Sequence, residues 1–448
     1  MAKEYLIGDF LKRIKRPIDL DDNQDYNLVT IKMNHKGVVL RGKKKGCDIK
    51  SKMFEVKEGD FILSGIDARN GAFGIVGKEL EGAIVTNDFW YFEIDAEIIS
   101  KQLFLELTAT TWFDDICQKG SDGTTQRIRL QKNKFFNQKI HLPEGNEQTE
   151  LLDKILTFKK GQTILNSEIE SQKKLLTRLK QSILQEGIQG KLTGDWRVNN
   201  PELISGSNSA AELLKSIKTE KVQLVKNKKI KKEKPLPPIT KEEVPFKIPE
   251  GWVWCRLGEI IVNSNNLNIH KELSPNELIN YIDIDAIDSK LQIIREPKIL
   301  PVNQLSSRAR RILKKGDIMY SLVRPYLHNL AIIEDDKKNY IGSTGFAVFN
   351  CLFIDNKYIF WLLLSKYIEN IYLGFMDGFN SPSITHEQFK STIIPIPPLS
   401  EQKEIVKKAA TLMKYCQGLK QEIKTSEANA KMLMQAVLKE AFNEREKV

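Results

Sequence analysis

The chain has 448 residues, 41% of them hydrophobic, and a formal net charge of +11; it is long enough for about three cores and too apolar for a disordered or fibrous protein. Its longest nearly apolar stretch, Tyr358 to Leu364, is too short to span a bilayer and its first residues form no apolar signal region, so a cytoplasmic protein with no membrane partner is expected. The five cysteines (Cys47, Cys117, Cys255, Cys351, Cys416) form no CxxC pair and have no histidine at ligand spacing, which excludes a recognisable zinc site or disulfide framework and leaves the positive charge as a weak pointer to a polyanionic partner.

Taken in chain order, the first 146 residues alternate short apolar runs with turns, as at Asp60 to Leu63 and Ala83 to Phe92, and these runs read as strands. The stretch Glu97 to Phe113 reads as a helix packed on the resulting sheet. From residue 147 the period changes to 3.5: Leu151, Ile155, Phe158, Gln162, Leu165, Ile169, Gln172, Leu176, Leu179 and Ile183 recur at alternating steps of four and three, the seam of a coiled coil over 147–190. Residues 191–245, with Lys226, Lys228, Lys229, Lys231, Lys232 and Lys234 followed by Pro235-Leu-Pro-Pro, have linker composition, and a solvated tether is expected there.

The remainder repeats the beginning. A shift of 257 positions lays Val56-Lys-Glu-Gly59-Asp60-Phe-Ile-Leu-Ser64 on Leu313-Lys-Lys-Gly316-Asp317-Ile-Met-Tyr-Ser321, and carries Phe89 to Phe346 and Phe92 to Phe349. A shift of 254 lays Phe135, Ile140, Glu147 and Gln148 on Phe389, Ile394, Glu401 and Gln402. The same shift continues through a second seam of Ile405, Ala409, Leu412, Cys416, Leu419, Ile423, Ser426, Ala430, Leu433 and Val437. Blocks in one order at nearly constant offsets mean duplication. The recurring Gly-Asp at 59–60 and 316–317 is read as a structural turn, and Lys357 to Tyr372 as the second helix on a sheet. The expected architecture is α+β, with two α/β domains (1–146 and 246–399) separated by a long antiparallel two-helix coiled coil (147–190 and 400–448) in an internal pseudo-two-fold repeat. A helix of ~40 residues is ~60 Å long, too long merely to cap its own domain, so pairing between the two is expected.

Catalytic constellations are missing. Gly187-Ile-Gln-Gly190-Lys191-Leu has the wrong glycine spacing for a phosphate loop, and neither an adenine-methyltransferase NPPY-like motif nor a Pro-Asp…Glu-x-Lys nuclease core occurs. The five histidines are isolated. The chain is therefore expected not to be an enzyme, with no cofactor or metal of its own.

Three segments carry a resemblance: Pro249-Glu-Gly-Trp252-Val-Trp254-Cys-Arg-Leu-Gly258-Glu-Ile, Ile394-Pro-Ile-Pro-Pro-Leu-Ser-Glu-Gln402, and Leu179-Lys-Gln-Ser-Ile-Leu-Gln-Glu-Gly-Ile-Gln-Gly-Lys-Leu-Thr-Gly-Asp-Trp196-Arg. Together with the duplication, they resemble the specificity subunit of type I restriction-modification enzymes over the whole chain. The first copy departs from the pattern, with His141-Leu-Pro-Glu-Gly-Asn-Glu-Gln where the second has the Pro-rich run, and without the Pro-Glu-Gly-Trp lead-in. The resemblance implies two target-recognition domains, each reading one half of a bipartite target in double-stranded DNA, with the helices as ruler and as docking surface for two modification subunits. It implies S-adenosylmethionine on those subunits, ATP and magnesium on restriction (translocase) subunits, and no chemistry on this chain. A ~60 Å ruler corresponds to roughly 17 base-pair steps between attachment points.

Physical chemistry limits DNA contacts to exposed cationic and amide or hydroxyl side chains. In domain one these are the loop Arg41, Lys43, Lys44 and Lys45, and Arg127 and Arg129 in the polar stretch Lys119 to Arg129. In domain two they are Arg308, Arg310 and Arg311, then Arg324, expected to be extended because proline follows, and Asn380 and Ser381. A coiled-coil adaptor without DNA readout is the alternative; a methyltransferase or nuclease fragment is a third reading, which requires S-adenosylmethionine or divalent-metal binding by the isolated chain.

Overall fold

The structure is a computed structural model that describes residues 3–108, 111–123, 128–334, 339–376 and 382–443, the last helix with side chains to residue 433. Two compact units divide the chain, residues 1–170 with 424–448, and residues 171–423.

In the first unit eight strands matter: β1 (Leu11–Ile14), β2 (Asp25–Ile31), β3 (Val38–Lys45), β4 (Met53–Glu55), β5 (Phe61–Ser64), β6 (Phe73–Ile75), β7 (Ile84–Val85) and β8 (Phe89–Ile94). They form one sheet in the order β1-β8-β5-β6 and a second in the order β4-β7-β2-β3, with Pro17–Ile18 outside β4. Helices α1 (Lys101–Thr108), α2 (Thr111–Lys119) and α3 (Lys132–Phe136) follow. The helix expected over 97–113 begins at Lys101; its described parts lie in Lys101–Thr108 and at the start of Thr111–Lys119, and residues 109–110 lie outside the described residues. The core below the first sheet is largely phenylalanine: Phe61 meets Phe104 at 5.0 Å and Phe73 meets Phe113 at 4.9 Å, both edge to face, the arrangement the ring quadrupole favours.

The second unit has eight counterparts in the same sequence: β9 (Ile261–Asn263), β10 (Leu278–Ile282), β11 (Lys298–Pro301), β12 (Ala309–Ile312), β13 (Ile318–Ser321), β14 (Leu330–Ile332), β15 (Tyr340–Ser343) and β16 (Phe346–Cys351). Their orders, β9-β16-β13-β14 and β12-β15-β10-β11, reproduce those of the first unit strand for strand. Even the unusual parallel pairing recurs, β2 with β7 and β10 with β15.

Two polar devices explain why particular residues survive in both copies. Gly59 (φ +79°) and Gly316 (φ +89°) take a left-handed turn that costs other residues energy. The next residue closes the turn: Asp60 accepts from the Lys57 amide at 2.9 Å and Asp317 from the Lys314 amide at 3.0 Å. Gln148 in one copy donates to the Ile98 and Pro143 carbonyls and accepts from Ser100; Gln402 donates to the Pro397 carbonyl and accepts from Asp355. Each glutamine ties the start of a long helix to its own domain.

The first copy ends in the long helix α4 (Asn146–Ile188), whose last turns lie in the second unit, and α5 (Ala210–Lys226) follows it. The tether expected over 191–245 is corrected here: Ala210 and Ile217 of α5 are fully buried in the second unit's core, and burying an Ile side chain alone is worth about 1.5–3 kcal/mol. Helices α6 (Asn356–Leu363), α7 (Lys366–Phe375), α8 (His386–Ser391) and α9 (Leu399–Asn443) complete the chain. The helix expected over 357–372 is broken at Ser365, whose hydroxyl caps α7 by accepting from the Ile368 amide at 3.4 Å.

The heptad seam is buried unevenly. Leu151 and Ile155 pack into the first domain's core, as Ile405 does in the second. Within the second unit Ile183, Ala409 and Cys416 form one cluster with Leu176 and Leu412, and Gly187, later on α4, faces Ile405, earlier on α9, as in an antiparallel pairing; in the first, Gln162 reaches the Ala430 carbonyl at 3.5 Å. Four expected core positions are instead open: Leu165 (38% exposed) and Leu433 (51%) in the first unit, Leu179 and Leu419 (each 44%) in the second. Two helices alone cover only one side of such a seam, and these leucines lie on its open flank. The side chain of Val437 lies outside the described residues.

Candidate nucleic-acid interface

Strands β2 and β3 form a hairpin whose tip is held against the body of the first domain. Asn34 and His35 are left-handed (φ +59° and +57°), and their amides donate to the Asn70 and Gly71 carbonyls at 2.9 and 3.0 Å. His35 Nε2 lies 2.9 Å from Asp114 Oδ2. Burial pushes the Asp114 carboxyl above its ordinary range, with His35 opposing.

This hairpin carries Arg41, Lys43, Lys44 and Lys45, all exposed. The basic loop expected there is an outer strand, because a register shift at Leu28/Val29 lets the segment pair with β2 along its whole length. Arg41 is the extra residue of that bulge, a device that re-aims a side chain. Lys32 and Lys36, flanking the Asn34-His35 tip, are exposed on the same hairpin; the Asn-His-Lys-Gly turn signal could have flagged them. None of these six cations forms a salt bridge among the described residues. Arg69, on the turn that the tip contacts, has a buried Nη1 with no hydrogen-bond partner among the described residues. Arg129 is held by Asp88 at 3.0 Å, which makes it a surface ion pair first. Arg127 lies outside the described residues.

In the second domain Arg308 and Arg310 are exposed beside and on β12. Arg311 is different: its Nη2 lies 2.8 Å from His386 Nε2. Burial, with Arg311 and Lys390 nearby, lowers the His386 pKa to about 4, so the neutral ring accepts from the guanidinium and Arg311 is turned inward. The turn after β13 presents Arg324, exposed, but not extended. Arg324 (φ +47°) and His328 (φ +53°) are both left-handed, and they bracket a tight turn over Pro325–Leu327. The Arg324 amide donates to the Pro382 carbonyl at 2.8 Å and its carbonyl accepts from Leu327 at 2.9 Å, two bonds that hold a conformation a free Arg-Pro pair avoids. Tyr326 and Leu327 stand partly exposed on the same turn. Asn380 and Ser381 lie outside the described residues.

The two copies share a backbone but differ in where they carry charge. The turn Pro325–Leu327 corresponds to Ala68–Asn70, and left-handed His328 stands where the first copy has left-handed Gly71. The clearest difference is one outer strand. In the first copy Arg41, Lys43, Lys44 and Lys45 line β3, whose counterpart β11 reads Lys-Ile-Leu-Pro, its one lysine paired with Asp283. Beside β12 and its counterpart β4 both copies are basic, with Arg308 and Arg310 exposed in the second and Lys50 and Lys52 in the first.

No group of His, Cys, Asp or Glu that could hold a metal ion occurs among the described residues, and no helix there is long and apolar enough to cross a membrane. Cys117, Cys255, Cys351 and Cys416 are buried, and burial raises the thiol pKa of the first three.

Known proteins agree with this architecture. The chain is 34% identical over 271 residues to the EcoAI type I restriction enzyme specificity subunit of Escherichia coli, a match covering 59% of this chain and 44% of that protein. A second relative, the EcoDI specificity subunit of Escherichia coli, is 24% identical over 390 residues, covering 84% of this chain and 76% of that protein. The chain therefore spans less than half of the first relative and about three quarters of the second. The crystal structure of the HsdS subunit from Thermoanaerobacter tengcongensis superposes with a TM-score of 0.54 at 17% identity, covering 98% of this chain and 96% of that one. A chain from a structural study of complex assembly and conformational transition of the type I R-M system gives 0.59 at 16% identity, covering 98% and 97%. The model of the type I restriction modification DNA specificity domain matches twice, over residues 3–174 and 249–426, one match to each copy of the repeat, and the chain belongs to that family.

Proposed function

We propose that this chain is the DNA sequence-specificity subunit of a type I restriction-modification complex and has no catalytic role of its own. Each domain reads one half of a bipartite target in double-stranded DNA. The long helices set the gap and dock two modification subunits, and the half-open leucines Leu165, Leu179, Leu419 and Leu433 supply apolar surface for that docking. S-adenosylmethionine belongs to the modification subunits, and ATP with magnesium to restriction subunits of the full assembly, in the cytoplasm.

One observation carries the reading: two equivalent scaffolds differ in the cations they bear, four exposed on the outer strand β3 against a single paired lysine on its counterpart β11. A scaffold duplicated for structural reasons alone has no cause to keep its folds and redistribute its charges, whereas two readers of different half-sites do. Phosphate contacts from the β3 lysines give affinity and register, and an arginine such as Arg324 gives base choice by gripping guanine O6 and N7.

Methylome sequencing of cells expressing the chain with its modification subunit tests the proposal. A single split motif, whose halves change independently when the two domains are exchanged with those of a relative, is the expected result. Contiguous or absent methylation would favour a protein-only adaptor.

A further inference from the structure

The lysine run between the copies is not free. Glu233, in its middle, accepts from Asn263 Nδ2 at 3.1 Å and from Lys390 Nζ at 2.6 Å. Downstream, the buried Arg256 donates to the Pro237 carbonyl at 2.6 Å and the Pro238 carbonyl at 3.2 Å, and pairs with Glu243 at 3.0 Å. Upstream, α5 is fastened by Lys221 Nζ on the Gly258 carbonyl at 2.7 Å. Ordering a strap of this length costs about 1–2 kcal/mol per residue in backbone entropy, so its fastening reflects repeated stabilising contacts rather than chance.

Beneath the strap lies a cleft of 1140 Å³ between α5 and the outer strand β9. Val222, Val225, Ile230, Leu267 and Ile312 give it an apolar floor beside the polar run Asn263 to Asn266, and its rim is Lys226, Lys231, Lys232 and Lys234. Three acids line it, and each is already engaged: Glu233 as above, Glu259 by Lys218 at 3.4 Å, and Glu272 by the Asn268 amide at 2.8 Å. The four rim lysines form no salt bridge among the described residues.

We infer that this cleft binds an acidic peptide segment, with interspersed apolar side chains, from another protein chain. The rim calls for several negative charges and the floor for aliphatic groups. Duplex DNA offers the charges but no apolar face, since its bases are stacked inside. A small anion leaves the floor uncovered, whereas a cleft of this volume has room for several side chains. An extended or helical segment with acids on one side and Leu or Ile on the other satisfies both surfaces. None of the lining residues belongs to the cationic hairpin or the Arg324 turn; Ile312 alone shares a strand, β12, with Arg310.

The test uses the full-length chain and fluorescein-labelled peptides read by anisotropy near physiological salt. An alternating Glu/Leu peptide is expected to bind about tenfold or more tighter than an equally acidic Glu/Ser peptide. Reversing the exposed rim (K226E with K231E and K232E) is expected to weaken the Glu/Leu peptide about tenfold or more, with the far-ultraviolet circular dichroism unchanged; a milder V222S weakens it without altering charge. Equal binding of the two acidic peptides, indifference to the rim reversal, or competitive displacement of the peptide by random-sequence duplex would each overturn the inference. The DNA reading is scored separately, by methylation of a split motif, so either can fail alone.

Discussion

Glu401 and Arg197 meet inside the second unit, where Arg197 Nη2 lies 2.7 Å from Glu401 Oε1 and the carboxylate is wholly inaccessible to solvent. The same carboxylate accepts from Thr193 Oγ1 at 2.7 Å and from Trp252 Nε1 at 2.8 Å. One residue of α9 thereby gathers the segment after α4 and the segment that opens the second domain. Removing one partner of a buried pair strands the other charge, at about 3–5 kcal/mol. Arg197→Ala should lose stability of that order in urea unfolding, whereas Trp252→Phe, which deletes one hydrogen bond to a charged group, should lose about 1.5–3 kcal/mol. Equal losses would mean the ion pair contributes nothing beyond its hydrogen bonds.

The hairpin lysines and Arg324 should fail in different ways. Replacing Lys43, Lys44 and Lys45 with Ala in the assembled complex should weaken all duplexes alike and flatten the dependence of log affinity on log salt by roughly 0.9 for each phosphate no longer neutralised. Arg324→Ala should leave that slope nearly unchanged and cost about 1–3 kcal/mol of base discrimination in one half-site only. Titrations at several salt concentrations with matched and half-mutated duplexes separate the two behaviours.

His386 makes the second unit sensitive to mild acid. Its pKa is about 4 in the folded protein against an ordinary 6.5, so the unfolded chain takes up a proton that the folded ring refuses. Stability from this group is complete above pH 6.5 and falls as the pH drops towards 4. His386→Gln, which keeps an acceptor for Arg311 but cannot titrate, should flatten urea midpoints across that window. An unchanged slope would show that His386 is not the titrating group.

Gly71 and His328 occupy one backbone position and should differ in how strongly they respond to substitution. A Cβ at Gly71, where φ is +71°, would collide with the His35 ring at Cδ2. Gly71→Ala should therefore destabilise the first unit by at least the roughly 1–2 kcal/mol of a left-handed L residue. His328→Gly relieves that same strain while giving up the 3.3 Å pairing with Glu369, and its net change in melting temperature should be much smaller.

The half-exposed leucines of the long helices should matter to assembly rather than folding. Leu165→Ser with Leu179→Ser should leave unfolding midpoints within a fraction of a kcal/mol per site, as for other surface changes. Recovery of the modification subunit in co-purification should fall sharply. Normal recovery would move the docking surface elsewhere.

Much of this structure is legible in the sequence, and the limits have physical reasons. The offsets of Gly59 to Gly316 and Gln148 to Gln402 are visible because each residue performs a backbone task that few others can. The second sheet of each domain leaves no such trace: β3 and β11 pair with equivalent neighbours, yet Arg-Gly-Lys-Lys-Lys and Lys-Ile-Leu-Pro share nothing, since strand pairing uses backbone groups that every residue supplies. The tether expectation for 191–245 fails because lysine content says nothing of the buried face that Ala210 and Ile217 provide. Arg324 departs from the extended form because pre-proline preference is local, whereas its two hydrogen bonds come from the fold. Inward-turned Arg311 is indistinguishable from Arg310 in sequence, because only the folded chain brings His386 beside it.

The left-handed position shared by Gly71 and His328 has a further consequence for how such a chain changes over generations. The turn keeps its path with the smallest side chain or with an imidazole, so its geometry is imposed by the surrounding strands and not by the residue occupying it. Substitutions on the solvent side of that turn are released from the duty of shaping it. New preferences can then arise in one half of the molecule by point mutation, while the other half and the common frame are inherited intact.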